Sequence, residues 1–236
     1  MIILNVNNVS AYYGNAQVLF DVSMDLNEKE IVALIGANGA GKTTLLRTIS
    51  GLPIRRTGEI ELLNQSIIKS DATKIVNLGI AHVPEGRRLF PGMTVTDNLL
   101  MGAYLRKDKQ AVKADLDYVF NIFPSLRERK NQLAGKLSGG EQQMCAIGRG
   151  IMSSPKVLLI DELSLGLAPV VIDELIKVIA LLRERGVSII LVEQDVQTGL
   201  EISDRGYVIE HGRIVSTGAS ESLLTDERIR ENYLGI

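Results

Sequence analysis

The stretch Gly36-Ala37-Asn38-Gly39-Ala40-Gly41-Lys42-Thr43-Thr44 constrains what this chain can fold into more than any other. The apolar run Ile31-Val32-Ala33-Leu34-Ile35 leads straight into it. A helical pattern, Thr43-Thr44-Leu45-Leu46-Arg47-Thr48-Ile49, leads straight out. Strand, glycine-rich turn and helix in that order make the Gly-x-x-x-x-Gly-Lys-[Ser/Thr] phosphate loop. Its glycines let backbone N–H groups turn inward with no Cβ in the way, and the helix N-terminus adds positive potential. In such a loop Lys42 reaches the β- and γ-phosphates, and the Thr43 hydroxyl completes a Mg²⁺ shell.

The bulk composition narrows the class. The chain has 236 residues, 45% hydrophobic and 23% charged, enough for a sizeable core in one large or two modest domains. A net charge of −2 gives no electrostatic reason to expect nucleic acid as a partner. The single cysteine, Cys145, excludes a disulfide framework and reads as a buried structural thiol in a helix. No apolar run approaches 18 residues, and no signal peptide opens the chain. The expectation is a cytoplasmic protein that reaches a membrane only by docking onto subunits that span it.

Along the chain, the patterns predict strands at Ile2–Val6, Val18–Leu26 and Ile31–Ile35, with Tyr12-Tyr13-Gly14 as an aromatic turn between the first two. A strand near Gly58–Leu63, a short helix at Ile75–Leu78 and a buried strand at Ile80–Val83 follow. From Arg87 to Ser153 the texture is helical only, with helices at Val95–Met101, Lys109–Phe123 and Glu141–Met152 broken at Pro91-Gly92, Pro124 and Gly135. Val157–Ile160 resumes the parallel-sheet texture. Then come a helix at Val171–Arg185, a strand at Ser188–Val192, a helix at Val196–Ile202, a hairpin turning at His211-Gly212 and a closing helix at Asp226–Tyr233. One α/β domain is therefore expected, with a core at 1–86 and 154–236 and a helical insertion at about 87–153.

Two further motifs bear on the family. Asp161-Glu162 closes an apolar strand, where one carboxylate can hold Mg²⁺ and the next faces a γ-phosphate. Leu137-Ser138-Gly139-Gly140-Glu141-Gln142-Gln143 opens a helix with a second anion nest, Ser138 at its N-cap. With these three motifs in this order, the chain resembles the ATP-binding cassette (ABC) ATPases over nearly its whole length. The resemblance implies a P-loop NTPase core, a RecA-like mixed sheet with an antiparallel β subdomain, plus the inserted helical subdomain. It also implies a head-to-tail dimer in which ATP lies between the phosphate loop of one subunit and Ser138, Gly139, Gly140 and Glu141 of the other. Tyr13 is then the aromatic that stacks on adenine, Asp161 and Thr43 hold Mg²⁺, and Glu162 polarises the attacking water.

Several positions depart from the family pattern. Glu85 stands where Gln is usual, and a carboxylate there can still touch Mg²⁺ or the water. Gln194, in Glu193-Gln194-Asp195, replaces the usual switch histidine; it can hydrogen-bond a γ-phosphate but cannot act as an imidazolium. Leu163 replaces a proline, and Ala168 an aspartate that crosses between subunits. Pro84–Pro91, Ser164–Pro169, Val192–Gln194, Arg205–Val208, Gly212 and the ending Tyr233-Leu234-Gly235 resemble the LivF-type ATPases of branched-chain amino-acid importers. The implied partners are transmembrane permease subunits, a second ABC ATPase subunit, identical or not, and indirectly a solute-binding protein. The chain would sit at the inner face of the membrane. A soluble ABC ATPase acting on DNA or ribosomes and a P-loop kinase are the alternatives. The first usually carries two cassettes or basic surfaces, and the second has no use for the Ser138 segment. His82 and His211 lie away from other ligand-type residues and read as structural or surface groups.

Overall fold

In a computed structural model, residues 1–231 are described, and they form two sheets with helices packed between and around them. The first is antiparallel. Strands β1 (Ile2–Tyr13) and β2 (Ala16–Asn27) make a hairpin closed by Gly14-Asn15, with Tyr13 opposite Ala16. Strand β4 (Arg55–Leu62) pairs on the other side of β1, and the two-residue β5 (Gln65–Ser66) ends the sheet. The aromatic pair Tyr12-Tyr13 is thus the end of a strand, not a turn. Cross-strand pairing with both β2 and β4 carries β1 well beyond its apolar first half.

The second sheet has the order β10-β9-β3-β8-β7-β6. Strands β3 (Ile31–Ile35), β6 (Ile80–Val83), β7 (Val157–Asp161), β8 (Ser188–Glu193) and β9 (Arg205–Glu210) run parallel, and β10 (Arg213–Ala219) returns antiparallel. Both faces are covered, which is why these strands read as unbroken apolar runs. Successive side chains feed opposite faces. Leu158, Ile160, Ile189 and Leu191 belong to a core shared with the helical segment. Val157, Leu159, Ile190 and Val192 belong to a core shared with the antiparallel sheet. Truncating a fully buried one such as Leu191 to Ala costs about 2–5 kcal/mol.

Helix α1 (Lys42–Ile49) follows the phosphate loop, and α2 (Ala72–Leu78) starts at the side-chain cap of Asp71. Between β6 and β7 lie α3 (Val95–Gly102), α4 (Lys109–Ile122), α5 (Pro124–Glu128), a 3₁₀ turn at Ala134–Lys136 and α6 (Gly139–Ile151). No strand is assigned there among the described residues, only an isolated bridge between Thr94 and Leu133. Pro124 does not merely end α4; it opens the separate helix α5 from its first position. Cys145 of α6 is fully buried, and burial pushes its thiol up to about 12, so it is inert. After β7 come α7 (Pro169–Glu184), α8 (Val196–Glu201), α9 (Ser220–Thr225) and α10 (Glu227–Ile229). The closing helix read to Tyr233 covers less among the described residues, and Tyr233-Leu234-Gly235 lie outside them. Among the described residues no helix is long and apolar enough to cross a membrane.

Candidate functional site

The parallel strands β3, β6, β7 and β8 all deliver their carboxyl ends to one edge of the sheet, where crevices form in such folds. At that edge lies a cavity of about 490 Å³ lined by Val18, Asn38, Gly39, Gly41, Lys42, Thr43, Thr44, Glu85, Glu162, Leu165 and Gln194. Four separate chain segments thus meet over the phosphate loop. The loop itself is held from behind. A Cβ on Gly36 would come within 2.3 Å of the Ile209 carbonyl oxygen, and the Gly212 N–H donates to the Ala40 carbonyl at 2.8 Å. Gly41 caps α1 at φ +112°, a left-handed value that favours glycine, so the first N–H groups of the helix open toward the cavity with no side-chain cap.

The charges around this edge are poorly paired. Lys42 is buried, and its ammonium donates to the carbonyls of Gly36 at 2.6 Å and Ala37 at 3.1 Å. Burial lowers its pKa, opposed by Glu162, Asp161, Glu193 and Glu85. Asp161, at the end of β7, accepts from the Thr43 hydroxyl at 3.3 Å through Oδ1, while its buried Oδ2 has no partner. Burial pushes this carboxyl up to about 6, with Glu162 and Glu85 adding to the rise against Thr43 and Lys42. Glu162 is likewise raised, by burial and then by Glu85. It holds a left-handed φ of +56°, costly for a residue with a side chain, and its N–H is tied to the Val192 carbonyl at 3.0 Å. Among the described residues, none of the ion pairs involves Lys42, Glu85, Asp161 or Glu162.

Such a set fits a small hard cation bound together with phosphate. It offers a hydroxyl, a carboxylate with an orphaned buried oxygen, and a second carboxylate, Glu85, at the rim. Among the described residues no three or more His, Cys, Asp or Glu side chains are placed to hold a metal ion by themselves. Mg²⁺ usually takes one or two protein ligands and completes its shell with water and substrate phosphates.

Other residues anticipated from the sequence lie outside the cavity. The Tyr13 hydroxyl accepts from Arg47 at 3.3 Å, and the ring lines a neighbouring, mostly apolar cavity with Arg47, His82 and Arg88. Tyr12 lies under the Arg55 guanidinium at 4.1 Å. Ser138, Gly139, Gly140 and Glu141 do not line the phosphate-loop cavity. They form a complete capping box at the start of α6. The Ser138 hydroxyl accepts from the Glu141 N–H at 3.3 Å, and the Glu141 carboxylate accepts from the Ser138 N–H at 2.8 Å. Burial works against ionising Glu141, but Ser138 and Arg129, at 2.5 Å, hold its carboxyl below the usual range. That carboxylate is committed within its own subunit, while Ser138 is exposed. Gly140 packs so tightly on α7 that a Cβ would meet Val171 at 2.9 Å.

The departures acquire physical context. Leu163 is fully buried in the core shared with the helical segment, so the turn after Glu162 is anchored by packing in place of a fixed proline φ. Ala168 caps α7 without a side-chain bond, and Pro169 follows at the first helical position. His82 contacts Ser50 through Nδ1 at 2.9 Å, and burial lowers it to about 4, in keeping with a structural role. Two residues at this edge carry no recognisable local signal. Arg149 of α6 donates to the carbonyls of Arg88 at 2.8 Å and Arg87 at 3.1 Å, clamping the loop after Glu85. Glu193, fully inside, accepts twice from Ser164.

Comparison with known proteins adds an independent line. A family model described as ABC transporter matches residues 19–164. The high-affinity branched-chain amino acid transport ATP-binding protein BraG of Pseudomonas aeruginosa is 48% identical over 98% of this chain and 99% of its own length. The probable branched-chain amino acid transport ATP-binding protein LivF of Archaeoglobus fulgidus is 36% identical over 99% of each. Among solved structures, the ADP conformation of MJ1267, an ATP-binding cassette of an ABC transporter, superposes with a TM-score of 0.85 at 27% identity and covers all of both chains.

Proposed function

The chain belongs to the ATP-binding cassette ATPases of ABC transporters, and we propose that within this family it is the motor subunit of an importer of branched-chain amino acids. It binds ATP, hydrolyses it to ADP and phosphate, and couples that reaction to transport. The observation that carries the motor reading is a division in the structure. The phosphate loop lines one cavity with Glu85 and Glu162, and Asp161 reaches it through Thr43, while the Ser138 nest does not line that cavity. A second subunit can bring its nest over the γ-phosphate, so that ATP joins two subunits and hydrolysis releases them.

At the cavity, Lys42 exchanges the carbonyls of Gly36 and Ala37 for the β- and γ-phosphate oxygens. The open N–H groups of α1 take the remaining phosphate charge. Thr43 and Asp161, with Glu85 at the rim, are the residues that would hold Mg²⁺, which supplies charge neutralisation between the phosphates. Glu162, raised by burial and by Glu85, is the base that orients and polarises the attacking water. Gln194, which also lines the cavity, donates a hydrogen bond toward the γ-phosphate. Tyr13, beside the cavity, is available for the adenine ring.

A groove of about 570 Å³ between the sheet and the helical segment is lined by Arg88, Phe90, Met101, Tyr104, Leu105 and Arg149, among others. Phe90 and Tyr104 are exposed at 45% and 79%, which is unusual for aromatic side chains. A short amphipathic helix from a permease subunit suits this groove. Docking there places the ATPase on the cytoplasmic face of the membrane, opposite a solute-binding protein. The near full-length similarity to BraG supports branched-chain amino acids as the solute.

The deciding experiment is uptake of labelled leucine, isoleucine and valine in cells carrying the chain with its permease subunits. ATP-dependent uptake that disappears with Lys42→Ala is expected. Uptake of these solutes unchanged by that variant would remove the importer assignment.

A further inference from the structure

Two loops bring the reacting groups together, and one buried contact joins them. The loop after β7 carries Glu162 and continues through Ser164 and Leu165 to α7. The loop after β8 carries Gln194. Glu193, the last residue of β8, is 1% exposed, and both of its carboxylate oxygens are used on Ser164. Oε1 accepts from the Ser164 N–H at 2.9 Å and Oε2 from its hydroxyl at 2.8 Å. Together with the bond from the Glu162 N–H to the Val192 carbonyl at 3.0 Å, the end of β8 grips the neighbouring loop twice. A Cβ on Gly199 of α8 would lie 3.1 Å from Glu193 Cβ, so the stem of the side chain packs against that helix while its carboxylate bonds Ser164.

A neutral side chain would satisfy Ser164 at lower cost. Burying a carboxylate is unfavourable unless it is well bonded, and burial pushes Glu193 up to about 7, with the Ser164 bonds opposing and Asp195 adding. Its position explains the expense better than its bonds do. Glu193 directly precedes Gln194, and Ser164 lies between Glu162 and Leu165, all three of which line the cavity. Slack of an ångström at this contact misplaces both walls, and such a shift can cost about 10²-fold in rate.

We propose that Glu193 is a positioning residue for hydrolysis, a tether through Ser164 that keeps the Glu162 loop in register with Gln194 at the γ-phosphate end of the cavity. This rests on the ATPase reading of the site. Glu193 does not line the cavity; it acts through the residues on either side of the contact.

The test uses the full chain, with ATP turnover, nucleotide affinity and melting temperature measured on each variant. Glu193→Ala is expected to lower kcat by about tenfold or more while leaving nucleotide affinity within about threefold. Ser164→Ala lowers kcat less, since its N–H still reaches Glu193. The double variant is no slower than Glu193→Ala, because one contact cannot be lost twice. Glu193→Gln restores at least about half of wild-type kcat, since its amide can accept from the N–H and donate to the hydroxyl oxygen. Wild-type kcat in Glu193→Ala, or penalties that multiply in the double variant, would overturn the tether. If Glu193→Ala does not fold, wild-type kcat in Ser164→Ala does so equally. Turnover in the wild type separates the two claims: without it the ATPase reading fails first, and with it an unaffected variant sinks the tether alone.

Discussion

The phosphate-loop cavity and the cluster around Arg205 hold similar charges and treat them in opposite ways. Arg205 of β9 donates to Asp25 at 2.8 Å, Glu30 at 2.9 Å and the Tyr207 hydroxyl at 2.7 Å, and that hydroxyl donates to Asp25 at 2.9 Å. Every charge has its partner. Burial works against Asp25 and Glu30, but Arg205 holds both carboxyls below their usual range, and its own pKa is raised, first by Glu30. In the cavity the shifts run the other way: Asp161 and Glu162 are raised, Lys42 is lowered, and Asp161 Oδ2 is left bare. The first arrangement ties the antiparallel sheet to the parallel one. The second leaves charges that, under the proposed function, the phosphates and cation of a ligand would partner. Local dissatisfaction of this kind, with several charges shifted together, is expected at working sites.

The largest expected effect tests the chemistry. Glu162→Gln keeps the shape of the side chain and removes the base. ATP binding persists, hydrolysis falls by at least about 10²-fold, and a nucleotide-bound dimer accumulates. Turnover near the wild-type rate in a purified sample would remove Glu162 from that role. Next is Lys42→Ala, which loses a charge-assisted bond to phosphate and weakens ATP by about 10- to 100-fold. In the free protein the same change deletes a poorly compensated buried charge, so the melting temperature should not fall.

Arg205→Ala should do the reverse and sharpens the contrast. It strands two carboxylates in a partly buried cluster, whose side chains are 13% to 33% exposed. Discounted for that exposure, the loss is about 2 kcal/mol, or a melting temperature lower by roughly 4–8 °C, with ATP affinity unchanged. Equal melting shifts for Lys42→Ala and Arg205→Ala would mean that the two clusters do not differ in kind.

The sequence exposes the first region far better than its supports. The phosphate loop and Asp161-Glu162 are each unbroken stretches of sequence, so their spacing alone predicts strand, nest and carboxylate. The helical segment is legible because its 3.6-residue pattern is unbroken by alternation. Contacts between distant positions are not legible. Glu193 finds Ser164 across 29 positions and Arg149 finds the Arg88 carbonyl across 61, and nothing local marks either pair. The length of β1 is hidden for the same reason, since Tyr12-Tyr13 become strand only by pairing with Arg55 and Ala16. Glu141 is the instructive case. The family resemblance assigns it to a partner's nucleotide, an expectation about assembly, whereas in this chain its carboxylate closes the cap of its own helix.

The smallest effect concerns protons and follows from the sign of the shifts. Asp161 has its folded pKa raised from 3.8 to about 6, so between those values the folded free protein binds more protons than the unfolded chain. Its contribution to stability therefore declines as pH rises from about 4 to 6, whereas Asp25 and Glu30, lowered in the fold, contribute above their unfolded values and lose that contribution on acidification. A bound cation requires Asp161 ionised. At pH 6 the carboxyl is about half protonated, so binding of Mg²⁺-ATP should release about half a proton more from the wild type than from Asp161→Asn. Titration calorimetry in buffers of different ionisation enthalpy reads this difference, which should vanish by about pH 8. A difference absent at every pH from about 4 to 8 would place the cation away from Asp161 and leave its bare oxygen without a purpose.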